Sequence, residues 1–208
     1  MPGIEDSPSE ALSERGRPHP WVRHGSRPAG SLLLFRPRWD LMENPRTGER
    51  MERLVLETRD WVNVVALTAR DELVVVHQYR FGSEAITIEI PGGVIDPGEA
   101  PLAAAQRELR EETGYTSASW QPLGRVTPNP AFHDNCCHHF LARGSERTQA
   151  QALDAGEDIV VELVPLARVP ALVAAGRIDH SLVLCALARV LDLRLPALGL
   201  ASEDRAVP

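Results

Sequence analysis

The chain has 208 residues and 22.8 kDa, with 43% hydrophobic and 25% charged residues. That is ordinary globular usage and excludes a collagen-like, wholly disordered or disulfide-scaffold chain. Lys and Arg number 22 against 29 Asp and Glu, a net charge of −7, so no nucleic-acid or membrane partner is expected. An acidic protein acting on an anionic substrate would need local positive charge, and bound metal is the obvious supply.

Residues 1–30 hold five of the 17 prolines and four of the 15 glycines and are rich in Ser and Arg, so they read as a flexible arm. They contain no apolar signal-peptide core, and Glu5, Asp6, Glu10 and Glu14 argue against a transit peptide. The cysteines are Cys136, Cys137 and Cys185, an odd count with two adjacent. That is a poor disulfide framework, so a cytoplasmic location is expected.

Ser31–Arg36 and Asp40–Met42 read as short strands, Asn44–Gly48 as a turn and Met51–Thr58 as a returning strand. Residues 31–58 would thus be an N-terminal β-ribbon, marginal alone and suited to dimerisation. Trp61–Thr68 and Leu73–Tyr79 read as a hairpin of two central strands, with Tyr79 inside. Ile86–Ile90 alternates up to Pro91-Gly92-Gly93, and Ala100–Thr113 is a strong helix closed by Gly114. Trp120–Val126, His138–Ala142 and Ile159–Val164 read as strands, Leu166–Ala175 and His180–Leu191 as helices, and residues 196–208 as a flexible tail. Strict βαβ alternation is missing, so the expected class is α+β. Cys185 falls on an apolar helix face and reads as core. Cys136-Cys137-His138-His139 is no zinc site, because neighbours on a strand point to opposite faces.

One stretch carries chemistry. Glu108 and Glu112 lie four apart on the predicted helix, offset by only ~40°, so they share a face, with Glu111 at its edge. Like charges at this spacing destabilise a bare helix. Divalent hard cations would relieve them, and carboxylate oxygens suit Mg²⁺ or Mn²⁺. Arg107 precedes Glu111 by four and can pair with it, and Glu99 stands just before the helix start, where the macrodipole favours a carboxylate. The helix alone fits a solvated Glu/Arg surface equally well. The Gly92-Gly93 turn at a strand end decides for a site, because it can bring a backbone carbonyl up to the same metal.

Gly93, Glu99 and the run Arg107-Glu108-Leu109-Arg110-Glu111-Glu112-Thr113-Gly114-Tyr115 fit G-x5-E-x7-R-E-U-x-E-E-x-G-U throughout, where U is apolar or aromatic. A chance match is on the order of 10⁻⁸ per start position. The stretch resembles the Nudix box. His77-Gln78-Tyr79-Arg80, Glu89-Ile90-Pro91-Gly92-Gly93 and Thr127-Pro128-Asn129-Pro130-Ala131-Phe132 resemble the ADP-ribose and nucleotide-sugar pyrophosphatase branch.

The resemblance implies an α/β/α sandwich with a mixed sheet over residues 59–195. It implies hydrolysis of a nucleoside diphosphate sugar, a small-molecule partner, to a nucleoside monophosphate and a sugar phosphate. It makes Glu108 and Glu112 the main metal ligands, assisted by Glu111 and the Gly92 carbonyl, with Glu99 holding the loop and Arg107 orienting Glu111. Arg80 is expected on a phosphate; Glu89 reads either as an acceptor for base or ribose or as a surface residue of an alternating strand, and Trp61 either as a stacking ring or as packing at a strand start. The base of that branch is implied on the loop 152–158, where Glu157 is the candidate and Asp154 the runner-up. A metal-bound hydroxide with Glu111 as proton acceptor would also serve. The branch is usually dimeric. A catalytically silent sensor, or a hydrolase of dinucleoside polyphosphates or coenzyme A, stays open as an alternative.

Overall fold

The computed structural model describes residues 21–32 and 34–193. Residues 1–20 of the arm expected over 1–30, and the tail expected over 196–208, lie outside the described residues. The chain divides into two compact units, one up to Glu57 and one from Thr58 onward.

The first unit is an antiparallel sheet of β1 (Val22–Pro28), β2 (Arg36–Glu43) and β3 (Arg50–Glu57), with β2 in the middle. Asn44–Gly48 turns β2 into β3, with the Gly48 amide donating to the Asn44 carbonyl at 2.8 Å. Two expectations change here. Residues 22–28, read as part of the arm, pair with β2, and residues 31, 32, 34 and 35 are not in a strand. The reason is a charge core that composition hides: Asp40 is buried and accepts from Ser26 at 2.5 Å, Arg38 at 3.0 Å and Arg23 at 3.3 Å. The Ser and Arg residues that look disordered by composition are the partners of this carboxylate.

The second unit holds a seven-stranded mixed sheet, a helix on one face and two helices on the other. Its spine runs β12 (Ile159–Pro165), β5 (Glu72–Arg80), β4 (Trp61–Leu67), β10 (Cys137–Arg143) and β9 (Ser119–Val126). β4 and β10 are parallel, and the other pairs are antiparallel. The expected β4–β5 hairpin touches at one pair only, Leu67 and Leu73. Beyond it the two strands part, and β6 (Ala85–Glu89) pairs with β5 while β7 (Gly92–Val94) pairs with β4. The switch from one strand to the other falls at Ile90-Pro91, where proline has no N–H for a ladder to lose. β8 (Tyr115–Thr116) and β11 (Glu146–Arg147) form a small separate pair.

Alternation along the strands builds two cores. Val62, Val64, Ala66, Val74, Phe140 and Ala142 pack with Ala104, Ala105 and Leu109 of α1 (Pro101–Thr113). Val65, Leu67, Leu73, Val75 and Leu141 pack with Val169 of α2 (Val169–Ala174) and Val183, Ala186 and Leu187 of α3 (Ser181–Leu187). This is the expected sandwich. Both later helices are shorter than expected, and residues 166–168 form a 3-10 turn before α2. Tyr79 and Cys185, expected inside, are exposed. Tyr79 stands near the hairpin tip with its ring against Phe81, and Cys185 falls off the buried stripe Leu182, Val183, Ala186, Leu187.

Candidate active site

Helix α1 begins with Pro101 in its first turn and ends at Gly114, whose left-handed φ of 74° lets its amide close on the Arg110 carbonyl. Between these ends it packs Ala104, Ala105 and Leu109 onto the sheet. That packing fixes Glu108 and Glu112 against the β7 turn, where they are 9% and 4% exposed.

Two glycines make the approach possible. A Cβ on Gly92 would lie 2.2 Å from the Val62 carbonyl oxygen, and one on Gly93 2.3 Å from Glu108 Oε1. The Gly92 amide donates to Glu112 Oε2 at 3.0 Å. The Glu112 carboxylate has no other hydrogen bond among the described residues. Burial pushes its carboxyl well above the usual range, and the nearby charges of Glu108 and Glu157 add to the shift. Burial also raises Glu108, despite the Arg107 guanidinium beside it.

Arg107 is a hub and not only a partner of Glu111. Its Nε and Nη2 clasp both Glu99 oxygens at 2.9 Å each, and Nη2 also reaches the Val94 carbonyl at 3.1 Å. Its Nη1 donates to Glu108 at 2.8 Å and to Glu111 at 3.3 Å. Glu99 in turn accepts from the Asp96 amide at 3.0 Å, which ties the loop 93–99 to the helix. Arg107 holds the Glu99 carboxyl down at about 2.

Arg80 and Glu89 lie on the α1 face of the sheet, in register with Val74 and Val76. Arg80 grips Glu89 by Nε and Nη2 at 2.7 Å each, and Thr87 Oγ1 donates to the same carboxylate at 2.6 Å. The substrate acceptor expected at Glu89 is therefore engaged within the protein. Burial opposes its charge, but Arg80 and Thr87 outweigh that and hold the carboxyl below its usual range.

Trp61 alternates with Val62 and so falls on the opposite sheet face from α1, its ring edge-on to His133 at 6.3 Å. The stacking expected of it finds no support in that placement.

The loop expected to carry a base is brought back to α1 by Gln151, whose Nε2 donates to the Glu112 carbonyl at 2.6 Å and the Ile159 carbonyl at 3.1 Å. Glu157 closes a turn by accepting from the Asp154 amide at 2.9 Å. Its charge reaches Arg80, Glu108 and Glu112. Asp154 is exposed. Sequence reasoning passed over Thr87 and Gln151. For Thr87 a signal existed, since it stands two before Glu89 on a strand and so shares its face. For Gln151 there was none.

Among the described residues no three His, Cys, Asp or Glu side chains stand together in a geometry that encloses a metal ion. Glu108 is instead turned to Arg107. No described helix is long and apolar enough to cross a membrane.

The NUDIX domain model matches residues 57–186. The methanol dehydrogenase activator of Bacillus methanolicus is 37% identical over 120 residues, 57% of this chain and 64% of that protein. The chain thus spans just under two thirds of that relative's length. An ADP-ribose pyrophosphatase of Mycobacterium tuberculosis is 32% identical over 170 residues, 81% of this chain and 80% of that one. The crystal structure of an ADP compounds hydrolase shares the fold, with a TM-score of 0.75 at 23% identity, covering 84% of this chain and 94% of that one.

Proposed function

The chain belongs to the NUDIX domain family, and from that premise we propose that it is a Mg²⁺-dependent pyrophosphohydrolase. Its substrate is ADP-ribose or another nucleoside diphosphate sugar, cut to a nucleoside monophosphate and a sugar phosphate. The observation that carries the reading is the pair Glu108 and Glu112, two buried carboxylates on one helical face with raised pKa values.

The donor set fits a hard divalent cation. Glu108 and Glu112 would hold it, with Glu111 and the Gly92 carbonyl assisting and Mn²⁺ as a substitute. Ligation asks Glu108 to exchange its Arg107 contact for the ion. When bound, the cation neutralises the diphosphate and acidifies the attacking water. The side chains do the positioning. Arg107 and Glu99 keep the loop 93–99 closed on α1, and Arg80 offers its guanidinium to a phosphate oxygen. Glu157, or Glu111, accepts the proton of the attacking water.

The three free thiols suit a reducing cytoplasm. A homodimer built on the first unit goes with this reading.

The test is product release from a panel in Mg²⁺: ADP-ribose, other nucleotide sugars, a dinucleoside polyphosphate and coenzyme A. Release of a nucleoside monophosphate and a sugar phosphate supports the reading. Turnover confined to the last two moves the substrate class, and no turnover on any member overturns catalysis.

A further inference from the structure

Glu89 is only 3% exposed, and its one salt-bridge partner among the described residues is Arg80, whose side chain is 43% exposed. An ordinary surface pair has two wet ends. Here one end is fixed inside the sheet and the other reaches out of it. Arg80 closes β5 beside a hairpin tip at which Phe81, Gly82, Ser83 and Glu84 are all exposed. Nothing in that tip would restrain a long side chain. The restraint comes from across the ladder, where Glu89 takes Nε and Nη2 together and so fixes the plane of the guanidinium. Glu89 is itself held. Thr87 Oγ1 donates to Glu89 Oε1 at 2.6 Å and also lies 3.2 Å from the Gln78 carbonyl, directly opposite in the register. With Nε and Nη2 engaged, Nη1 has no hydrogen-bond partner among the described residues. The charges of Glu112 and Glu157 act on this guanidinium.

We infer that Thr87 and Glu89 are positioning residues that hold the Arg80 guanidinium as a preset fork for the diphosphate of the substrate. The inference rests on the pyrophosphatase reading and assigns Glu89 to Arg80 and not to the base or ribose. A fork fixed before binding loses less rotamer entropy on meeting its anion, so its effect falls on affinity for the diphosphate. A carboxylate that instead contacted the base or ribose would act independently of Arg80.

The experiment measures ADP affinity by calorimetry and KM and kcat with ADP-ribose, both in Mg²⁺, for wild type, Glu89→Gln, Thr87→Val, Thr87→Ser, Arg80→Ala and Arg80→Ala/Glu89→Gln. Glu89→Gln is expected to weaken ADP binding and raise KM on the order of 10-fold, the effect of losing a charge-assisted hydrogen bond. Thr87→Val moves both in the same direction by a few-fold, and Thr87→Ser restores them. In the Arg80→Ala background Glu89→Gln adds less than ~2-fold, because its target is already gone. Wild-type ADP affinity in Glu89→Gln, or an equal loss with and without Arg80, overturns the inference and leaves the pyrophosphatase reading standing. Should Glu89→Gln fail to fold, the Thr87 pair decides, and wild-type affinity in Thr87→Val overturns it. A wild-type protein that neither binds ADP nor cleaves ADP-ribose overturns both.

Discussion

Gly93 stands where any Cβ would lie 2.3 Å from Glu108 Oε1 and 2.5 Å from its carboxyl carbon. The missing side chain at 93 is thus the space the carboxylate occupies. Gly93→Ala forces the Glu108 carboxylate aside, a shift at the far end of a flexible side chain and not of backbone. We expect a melting temperature near wild type and a fall in kcat of at least ~10-fold, since Glu108 is a proposed ligand. Thermal melts and steady-state kinetics check both, and wild-type kcat in a folded Gly93→Ala protein would sink the placement.

Glu112→Gln removes one of two buried, mutually repelling carboxylates. We expect kcat to fall at least ~10²-fold with the fold retained. The folded Glu112 carboxyl is raised, so the native state binds more protons than the unfolded state above the usual carboxylate pKa. Its contribution to stability is therefore lost as pH rises from there toward the folded value. Without metal, the variant should be the more stable protein at pH 8, with the gap closing toward pH 4. Mg²⁺ should raise the wild-type melting temperature and leave the variant's nearly unmoved. Equal Mg²⁺ shifts in the two proteins would remove Glu112 from the ligand set.

If Glu157 is the base, Glu157→Gln should lower kcat by ~10²–10⁴-fold with KM little changed, whereas Asp154→Asn should stay near wild type. The order is proposed because the Glu157 charge acts on Glu108 and Glu112 while Asp154 is exposed. A pH–rate profile from pH 6 to 9 decides. Wild-type rates in both variants would transfer the proton to Glu111.

His139 is fully buried in β10, and neither ring nitrogen has a partner among the described residues. Burial holds its pKa down at about 4. A lowered imidazole leaves the unfolded state with more protons at acid pH, so its penalty is absent above the ordinary histidine pKa and grows as pH falls toward the folded value. By linkage this removes about 3 kcal/mol between neutral pH and pH 4. His139→Leu should flatten that limb of a urea stability curve. A curve of unchanged slope would mean another group drives acid unfolding.

The first unit leaves the outer edges of β1 and β3 unpaired among the described residues, and Leu41 and Leu54 are exposed on it. Pairing or packing against a second copy would cover such edges. We expect a homodimer, and light scattering at micromolar concentration checks it. A monomeric mass removes the proposal.

What the sequence determined by itself is the box. Glu108, Glu111 and Glu112 are fixed relative to one another by the helical repeat, and Gly114 and Pro101 mark the helix ends by backbone preferences that operate within a few residues. The Val-rich run Trp61–Thr68 likewise marked a central strand. The tertiary structure decided which charges meet. Arg107 looked like the partner of Glu111 because they are four apart, yet its strongest contacts run to Glu99 across the loop. Glu89 looked open to substrate until β6 was laid beside β5, which gave it to Arg80. The strand at 22–28 stayed hidden because its partners, Asp40 among them, lie on another strand. Helical spacing is a property of the local chain. The pairing of two strands, and of an arginine with one carboxylate among several, depends on which distant segments the packed sheet brings within about 3 Å of each other.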